Sequence, residues 1–185
     1  INTQRCYLRL PKIDDFESWV HLRKNSEDFL SKWEPERDRS FYSLRLFKSR
    51  VKWAKQKFKE KKVIHAFIFR QEDGLLMGAV TLDNVRRGAS QSGTLGYWLG
   101  EQFTRKGYMF EVLKAMIFFI FKNFELSRLE AATLPENNTS RRLLEKTGFK
   151  YEGVAQSYLQ ISGRWRNHIM YSLLHDDRRG RSEKS

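Results

Sequence analysis

The feature that most constrains the fold is a nearly uninterrupted apolar run at residues 107–121 (GYMFEVLKAMIFFIF), which holds only two charged residues. Arg105, Lys106 and Gly107 stand at the start of this run. A run of this length and periodicity predicts a helix from Tyr108 to about residue 123. A helix that is apolar on most of its surface has to be buried. The chain must therefore fold around this helix, with a basic glycine turn at its start.

A glycine turn that leads into a helix is suited to bind an anion. The first N–H groups of a helix have no partner within it, and the helix dipole favours negative charge at that end. Gly107 allows a ligand to approach the backbone closely, and Arg105 and Lys106 add positive charge. The turn matches neither the P-loop pattern nor the three spaced glycines of dinucleotide-binding loops. The residues alone leave open which anion is bound.

Length and composition predict a single domain. A chain of 185 residues with 40% apolar residues can enclose one core, and we expect the domain to span residues 1–176. Residues 177–185 lack apolar side chains, and we expect a disordered basic tail there. The one cysteine, Cys6, excludes an internal disulfide and is expected in the core. No signal peptide or membrane span is expected, and the predicted location is cytoplasmic.

The net charge of +13 predicts attraction to polyanions such as RNA or phosphorylated cofactors. Much of the charge lies in a predicted helix over residues 40–62, which carries nine Lys and Arg residues. Its apolar residues recur at spacings of three and four and form one stripe: Leu44, Phe47, Val51, Ala54 and Phe58. The opposite, solvent-facing side would carry Lys48, Lys52, Lys55, Lys59 and Lys62. Contact with RNA and a merely solvated face both remain open.

The remaining segments predict a mixed α/β fold. Residues 63–70, 76–85 and 92–100 read as three strands of an antiparallel meander that precedes the apolar helix. A strand over residues 128–134, a short helix that ends at Gly148 and a closing hairpin that turns at residues 162–163 follow it. We therefore expect a mostly antiparallel sheet of six to seven strands with about four helices.

The order of these elements, followed by N-x-x-S before LLEKTGF, resembles the GNAT superfamily of acetyl-CoA-dependent N-acetyltransferases. The segments FLSKWEPERD, NVRRG, LGYWLG, KGYMFE and GFKYEGVAQSYLQISGRWRNH are similar to the RimJ/RimL branch, the ribosomal-protein-alanine N-acetyltransferases, and closest to the RimJ type. The resemblance covers residues 5–175. It implies the GNAT fold, acetyl-CoA as the acetyl donor, and the N-terminal α-amine of a ribosomal protein, with alanine first, as the acceptor.

The resemblance also implies roles for individual residues. The family loop that binds the coenzyme pyrophosphate corresponds to six residues, in which Thr104 replaces the usual Gln or Arg and Met109 the usual small residue: Thr104, Arg105, Lys106, Gly107, Tyr108 and Met109. Backbone N–H groups of Tyr97, Trp98 and Leu99 would meet the thioester. Asn137 would bind the pantetheine arm or cap a helix, and Ser140 would assist the leaving thiolate. Leu144 stands where many relatives carry a catalytic Tyr.

The general base is harder to predict. Glu34 and Glu36, with Asp38 beside them, are the nearest acidic candidates by resemblance, although acidic residues in loops are often only solvated. His65 alternates with apolar neighbours and is expected in the core, whereas His168 could face either way. No Cys/His cluster has the spacing of metal ligands, so no metal is expected.

Two other functions remain open from the sequence. A small-molecule acetyltransferase, acting on an aminoglycoside or a polyamine, would need an acidic cleft, which 35 basic against 22 acidic residues disfavour. A ribosome-binding protein that kept the fold and lost catalysis would explain Thr104, Met109 and Leu144.

Overall fold

The protein folds around one seven-stranded sheet in the computed structural model, which describes residues 1–175; the predicted tail at 177–185 lies outside this range. The strands are β1 (Cys6–Arg9), β2 (Ile64–Arg70), β3 (Leu76–Arg86), β4 (Ser92–Leu99), β5 (Arg128–Thr133), β6 (Lys150–Ile161) and β7 (Arg164–Leu174). The α-helices are α1 (Phe16–Asn25), α2 (Glu27–Leu30), α3 (Leu44–Lys59), α4 (Tyr108–Phe124) and α5 (Asn138–Lys146). Short 3-10 helices precede α1, α3 and α4.

The sheet order is β1-β2-β3-β4-β5-β7-β6, and every neighbouring pair is antiparallel except β4 and β5. The predicted α/β class, the meander and the closing hairpin are confirmed. Residues 1–175 contain five α-helices where about four were expected, because the acidic segment EDFL forms the additional short helix α2.

The apolar helix α4 lies in the core as its sequence predicts. The side chains of Val112, Leu113, Met116 and Ile120 are at most 1% exposed. They belong to the same cluster of buried residues as Val80 on β3 and many others of the sheet. Burial of this helix face fixes where α4 begins, and with it the position of the glycine turn.

Strands β4 and β5 separate along their length. They pair only from Ser92 to Thr94 on β4 and from Arg128 to Glu130 on β5. Beyond these residues, β4 pairs with β3 alone and β5 with β7 alone. No strand within residues 1–175 lies between β4 and β5 beyond this point. The backbone groups at the end of β4 therefore face an opening between these two strands.

The predicted helix over residues 40–62 is wrong at both ends. Ser43 has extended backbone angles and its hydroxyl accepts a hydrogen bond from the N–H of Leu46, so α3 begins at Leu44. The residues just before Ser43 form a 3-10 helix, and α3 ends at Lys59. The predicted faces are largely correct: Phe47, Val51 and Ala54 are buried, Phe58 is partly buried and Leu44 is exposed. The five predicted solvent-facing lysines are all exposed: Lys48, Lys52, Lys55, Lys59 and Lys62.

The structure resolves three single-residue expectations. Cys6 is fully buried, as predicted. His65 is not a core residue: about a third of its side chain is exposed (34%), and its Nε2 lies 2.8 Å from a carboxylate oxygen of Asp83. His168 faces inward, with Nδ1 3.0 Å from the carbonyl oxygen of Arg166. Within residues 1–175, none of the helices has the length and apolar character needed to cross a membrane.

Candidate active site

The glycine turn at residues 104–109, which we call the anion loop, presents a series of free backbone N–H groups. Thr104 N–H donates to the carbonyl oxygen of Glu101, and the next N–H with a backbone acceptor is that of Glu111, which donates to Gly107. Among the described residues, no acceptor is bound to any of the six N–H groups from Arg105 to Phe110. Six consecutive free donors at the start of a 17-residue helix make a site for an anion.

Gly107 is the residue that this geometry requires. Its φ of 82° lies in the left-handed region, where residues other than glycine are strained. A Cβ atom at this position would lie 3.3 Å from Nη2 of Arg5. Arg105 also has a positive φ, of 60°, so the loop holds a strained non-glycine residue beside its glycine. Backbone strain of this kind persists where the surrounding structure enforces it.

Arg5 is the residue that holds the loop. Its Nη1 donates to the carbonyl oxygen of Lys106 at 3.0 Å, and its Nε donates to Glu111 at 2.9 Å. The guanidinium lies 4.6 Å from the ring centre of Tyr108. The residue just before β1 therefore fixes the start of α4 and adds a cation beside it.

The side chains of the anion loop differ in exposure and in the contacts they make. The Thr104 hydroxyl donates to the carbonyl oxygen of Glu101 at 2.8 Å, which ties it to the preceding turn. Met109 is buried in the core, so only its backbone faces outward. Arg105 and Lys106 are exposed and free of ion pairs among the described residues. The unusual residues Thr104 and Met109 therefore leave the backbone donors intact.

A pair of hydroxyl groups lies between β4 and α5. The hydroxyl of Tyr97 and Oγ of Ser140 are 2.8 Å apart, and we call these two residues the hydroxyl pair. Burial raises the pKa of the Tyr97 hydroxyl to about 12, so the phenol is protonated at neutral pH. A protonated phenol can donate to Ser140, and the serine hydroxyl can in turn donate to a third atom.

Asn137 holds the start of α5 beneath this pair. Its side-chain oxygen accepts from the backbone N–H of Ser140 at 3.1 Å, which makes Asn137 the N-cap. The hydroxyl of Ser140 takes no part in this cap. Leu144, one turn further along, is buried, so the aliphatic side chain belongs to the core.

A cavity of about 390 Å³, the large cavity, is lined by Arg23, whose guanidinium packs on the ring of Trp98 from β4. Its other lining residues come from α2, from the segment between α2 and α3, and from the β6–β7 turn. Its charged lining residues are of both signs: Arg23, Glu27, Glu34, Glu36 and Arg37. The β6–β7 turn is tied to this segment, since the Ser162 hydroxyl donates to the carbonyl oxygen of Ser31 at 2.7 Å.

Glu34 and Glu36 have different environments in this cavity. Both carboxylate oxygens of Glu34 accept from the buried guanidinium of Arg23, at 2.9 and 2.5 Å. Glu36 is exposed and also borders a second cavity of about 290 Å³ beside Leu159. Asp38 lies outside both cavities, and its carboxylate caps the 3-10 helix before α3 by accepting from the N–H of Phe41.

Strand β4 connects the two halves of the site. Side chains of adjacent strand residues point to opposite faces of a sheet. The hydroxyl of Tyr97 reaches Ser140 on α5, while the ring of Trp98 stacks 4.7 Å from the Arg23 guanidinium that binds Glu34. Leu99 is buried. The end of β4 therefore lies between Ser140 on one face and Arg23 of the large cavity on the other, at the opening that separates β4 from β5.

Residues 1–175 contain no group of His, Cys, Asp and Glu side chains that could hold a metal ion. The donors at the site are backbone N–H groups, hydroxyls and guanidinium groups. This set suits binding of an anionic ligand and stabilisation of negative charge during acyl transfer.

The fold and this site define an acyltransferase of a known kind. Residues 5–150 match the family model of the acetyltransferase (GNAT) domain, and the chain belongs to that family. It is an N-acetyltransferase, and enzymes of this family use acetyl-CoA.

The similar proteins include enzymes that act on ribosomal proteins. The ribosomal protein uS5-alanine N-acetyltransferase of Escherichia coli is 31% identical over 179 residues, which cover 96% of this chain and 91% of the relative. The crystal structure of ribosomal-protein-S5-alanine acetyltransferase from Vibrio fischeri has a TM-score of 0.89 at 28% identity, covering 96% and 97% of the two chains. Mycobacterium smegmatis RimJ in complex with CoA-disulfide has a TM-score of 0.86 at 28% identity, covering 92% and 82%.

Sequence reasoning missed three side chains of the site. Arg5 lies about a hundred residues from the loop it binds, no sequence pattern pairs Arg23 with Glu34, and the sequence indicates a role only for the backbone of Tyr97. No local pattern marks the two arginines, because their partners are brought near only by the packing of β1 and α1. The tyrosine in LGYWLG could have been found, since its strand was predicted to meet the thioester and Ser140 to assist the thiolate of the same group.

Proposed function

We propose that the protein transfers the acetyl group of acetyl-CoA to the N-terminal α-amine of a ribosomal protein that begins with alanine. The observation that carries this proposal is the match, over nearly the whole of both chains, to alanine N-acetyltransferases that are named for a ribosomal protein. Acetyl-CoA and this N-terminus are then the two partners of the site.

The anion loop would bind the pyrophosphate of the coenzyme. Its backbone N–H groups from Arg105 to Phe110 are free donors, so the binding does not depend on the identity of Thr104 or Met109. Arg105 and Lys106 would add charge, and Arg5 would hold the loop in shape. The end of β4, at Tyr97, Trp98 and Leu99, would meet the thioester in the opening beside β5, and Asn137 would position α5 against the pantetheine arm.

The hydroxyl pair would assist departure of the thiolate. A thiol has a pKa of about 8.5, so a thiolate needs only a hydrogen bond or a weak acid to leave. Ser140 would donate to the sulfur atom, and Tyr97 would donate to Ser140. This arrangement would replace the tyrosine of other relatives, in whose place Leu144 stands.

The acceptor would bind in the large cavity, with its amine directed at the end of β4. An α-amine has a pKa of about 8, so at pH 7 about a tenth is neutral, against well under a thousandth of lysine side chains at a pKa of about 10.4. A strong base is therefore not required for the α-amine. Glu36, which is exposed and outside any ion pair among the described residues, suits the relay of the released proton better than Glu34, which binds Arg23.

The acidic residues that line the large cavity also suit a second class of acceptor, a small polycation. Glu27, Glu34 and Glu36 would also attract a polyamine or an aminoglycoside.

A panel of acceptors at equal concentration distinguishes the two proposals. It contains peptides that begin with alanine, serine or methionine, the alanine peptide with a blocked N-terminus, spermidine and an aminoglycoside. Our proposal predicts that the free alanine peptide has the highest kcat/KM. A higher value for either polycation would contradict it.

A further inference from the structure

The cations of α3 divide into those with partners and those without. The helix carries seven cations and no acidic residue. Arg50 donates to the carbonyl oxygen of Phe41 at 2.7 Å and packs on the ring of Trp19. Lys57 binds Glu60, which follows the helix. Within residues 1–175, the other five form no ion pair or side-chain hydrogen bond, and we call them the basic stripe: Arg45, Lys48, Lys52, Lys55 and Lys59.

The basic stripe is narrow and continuous. At about 100° per residue, its five positions fall within about 80° of the helix circumference. At 1.5 Å per residue it is about 21 Å long. All five side chains are exposed. The acidic residue nearest to it in sequence, Glu60, is bound by both Lys57 and Lys62, whose hydrogen bonds lower its pKa to about 2.

The stripe lowers the stability of its own helix. Lys48 and Lys52, and likewise Lys55 and Lys59, are like charges four residues apart, which destabilise a helix by about 0.2 to 0.5 kcal/mol per pair. Arg45 lies in the first turn, where the helix dipole disfavours a cation and where no acidic residue is present. A surface that serves only solubility would normally carry acidic residues among its basic ones, and α3 carries none. The arrangement therefore indicates a polyanionic partner.

The stripe begins beside the large cavity. Tyr42 lines the cavity, and the next residue, Ser43, is the N-cap of α3. A continuous line of cations without an acidic residue among them fits the regularly spaced phosphates of a nucleic acid.

We propose that the basic stripe binds the phosphate backbone of RNA and holds it beside the large cavity. The RNA contact stands on the charges of α3 alone. Its role, to deliver an acceptor N-terminus that emerges from a protein–RNA particle, rests on the proposed function.

The test compares two variants that change the net charge equally. In the stripe variant, Lys52, Lys55 and Lys59 are replaced by Glu. In the control variant, three exposed lysines outside α3 are replaced by Glu: Lys12, Lys114 and Lys122. The probe is a fluorescently labelled ribosomal RNA fragment, and its affinity is measured by anisotropy at several salt concentrations. Melting curves establish that each variant is folded.

We expect the stripe variant to bind RNA at least about tenfold more weakly than the control variant at the same salt concentration. A milder variant with Gln at the same three positions should lower the slope of log K against log salt by about 2 to 3, since about 0.7 to 0.9 is lost per phosphate contact. Equal RNA binding by the stripe and control variants would overturn the proposal. So would a wild-type protein that binds polyglutamate of the same length as tightly as RNA.

A second readout separates this proposal from the proposed function. Acetylation of a short peptide that begins with alanine and has no charged side chains should be the same in the stripe variant and in the wild type, because such a peptide offers the stripe no polyanion to bind. If the wild type binds RNA through the stripe but does not acetylate the peptide, the proposed function is wrong and the RNA contact stands. If peptide acetylation is normal and RNA binding is unaffected by the stripe variant, the RNA contact is wrong.

Discussion

Replacement of Ser140 by Ala tests the chemistry assigned to the hydroxyl pair. The change removes Oγ, which lies 2.8 Å from the Tyr97 hydroxyl, and leaves the backbone of α5 unchanged. The N-cap survives, because Asn137 accepts from the backbone N–H of Ser140 and not from its side chain. Any loss of activity can therefore be separated from a loss of the cap.

The size of each effect follows from these contacts. Ser140→Ala leaves the Tyr97 hydroxyl without its partner in a partly buried position, which costs about 1 kcal/mol of the free energy of unfolding. A positioned proton donor contributes about a hundredfold or more to the rate, so we expect kcat to fall by about a hundredfold. The dissociation constant of the coenzyme should hardly change, because the anion loop is untouched.

Two further variants complete the experiment. Tyr97→Phe should lower kcat less than Ser140→Ala does, since Tyr97 acts through the serine. The double variant should be no slower than Ser140→Ala, because residues that act as a unit have effects that do not add. Asn137→Ala is the control for the cap: it should lose about 1 kcal/mol of stability. Steady-state kinetics, calorimetry with CoA and thermal melts supply the three readouts.

The reasoning would be refuted by a folded Ser140→Ala protein whose kcat lies within about twofold of the wild type. A double variant whose loss equals the product of the two single losses would refute the relay from Tyr97 while leaving Ser140 in place.

Three other predictions follow from single contacts. Gly107→Val should abolish CoA binding in calorimetry while a melting transition persists. A β-branched residue at a φ of 82° distorts the anion loop and its backbone donors. Unchanged affinity would exclude the anion loop as the pyrophosphate site. Glu34→Gln should lower the free energy of unfolding by about 3 kcal/mol, because the buried charge of Arg23 loses its counter-charge. Glu36→Gln should leave stability unchanged and lower kcat/KM for the alanine peptide, because it removes the proposed relay of the released proton. Equal stability of the two variants would contradict the first part. Burial lowers the pKa of His168 below its unfolded value, so the folded state loses stability as the pH falls from about 7 through that folded pKa. The melting temperature of His168→Gln should therefore fall less over this pH range than that of the wild type. Parallel curves of melting temperature against pH would contradict this prediction.

The order of secondary structure could be predicted because each element carries its own local signal. The apolar run marks α4, alternation marks β2 to β4, and Gly148 marks the end of α5. The start of α3 could not be placed, because no glycine or proline separates residues 40–43 from the helix and only the extended backbone of Ser43 ends it. His65 was misplaced because alternation indicates a face of a strand, and that face is partly open to solvent where Asp83 meets the imidazole.

The candidate site was predictable to the extent that its residues are neighbours in sequence. The loop from Thr104 to Met109 is one such segment, and the sequence already indicated that its donors are backbone groups. The partner of Glu34 could not be predicted, since a carboxylate in a loop and a cation on α1 have no sequence signature in common. The cap that the sequence offered as one role for Asn137 is present, because the side-chain oxygen of Asn137 accepts from the N–H of Ser140 at the start of α5.

The most direct test of the central claim identifies the nitrogen atom that is acetylated. The acceptor is a peptide that begins with alanine and contains one internal lysine, incubated with acetyl-CoA and the wild-type protein, with Gly107→Val as the matched control. Fragmentation by mass spectrometry locates the acetyl group. The account predicts one acetyl group on the α-amine, an unmodified lysine, and no product above the uncatalysed rate with the variant. Acetylation of the lysine, or of neither nitrogen by a folded wild-type protein, would contradict it.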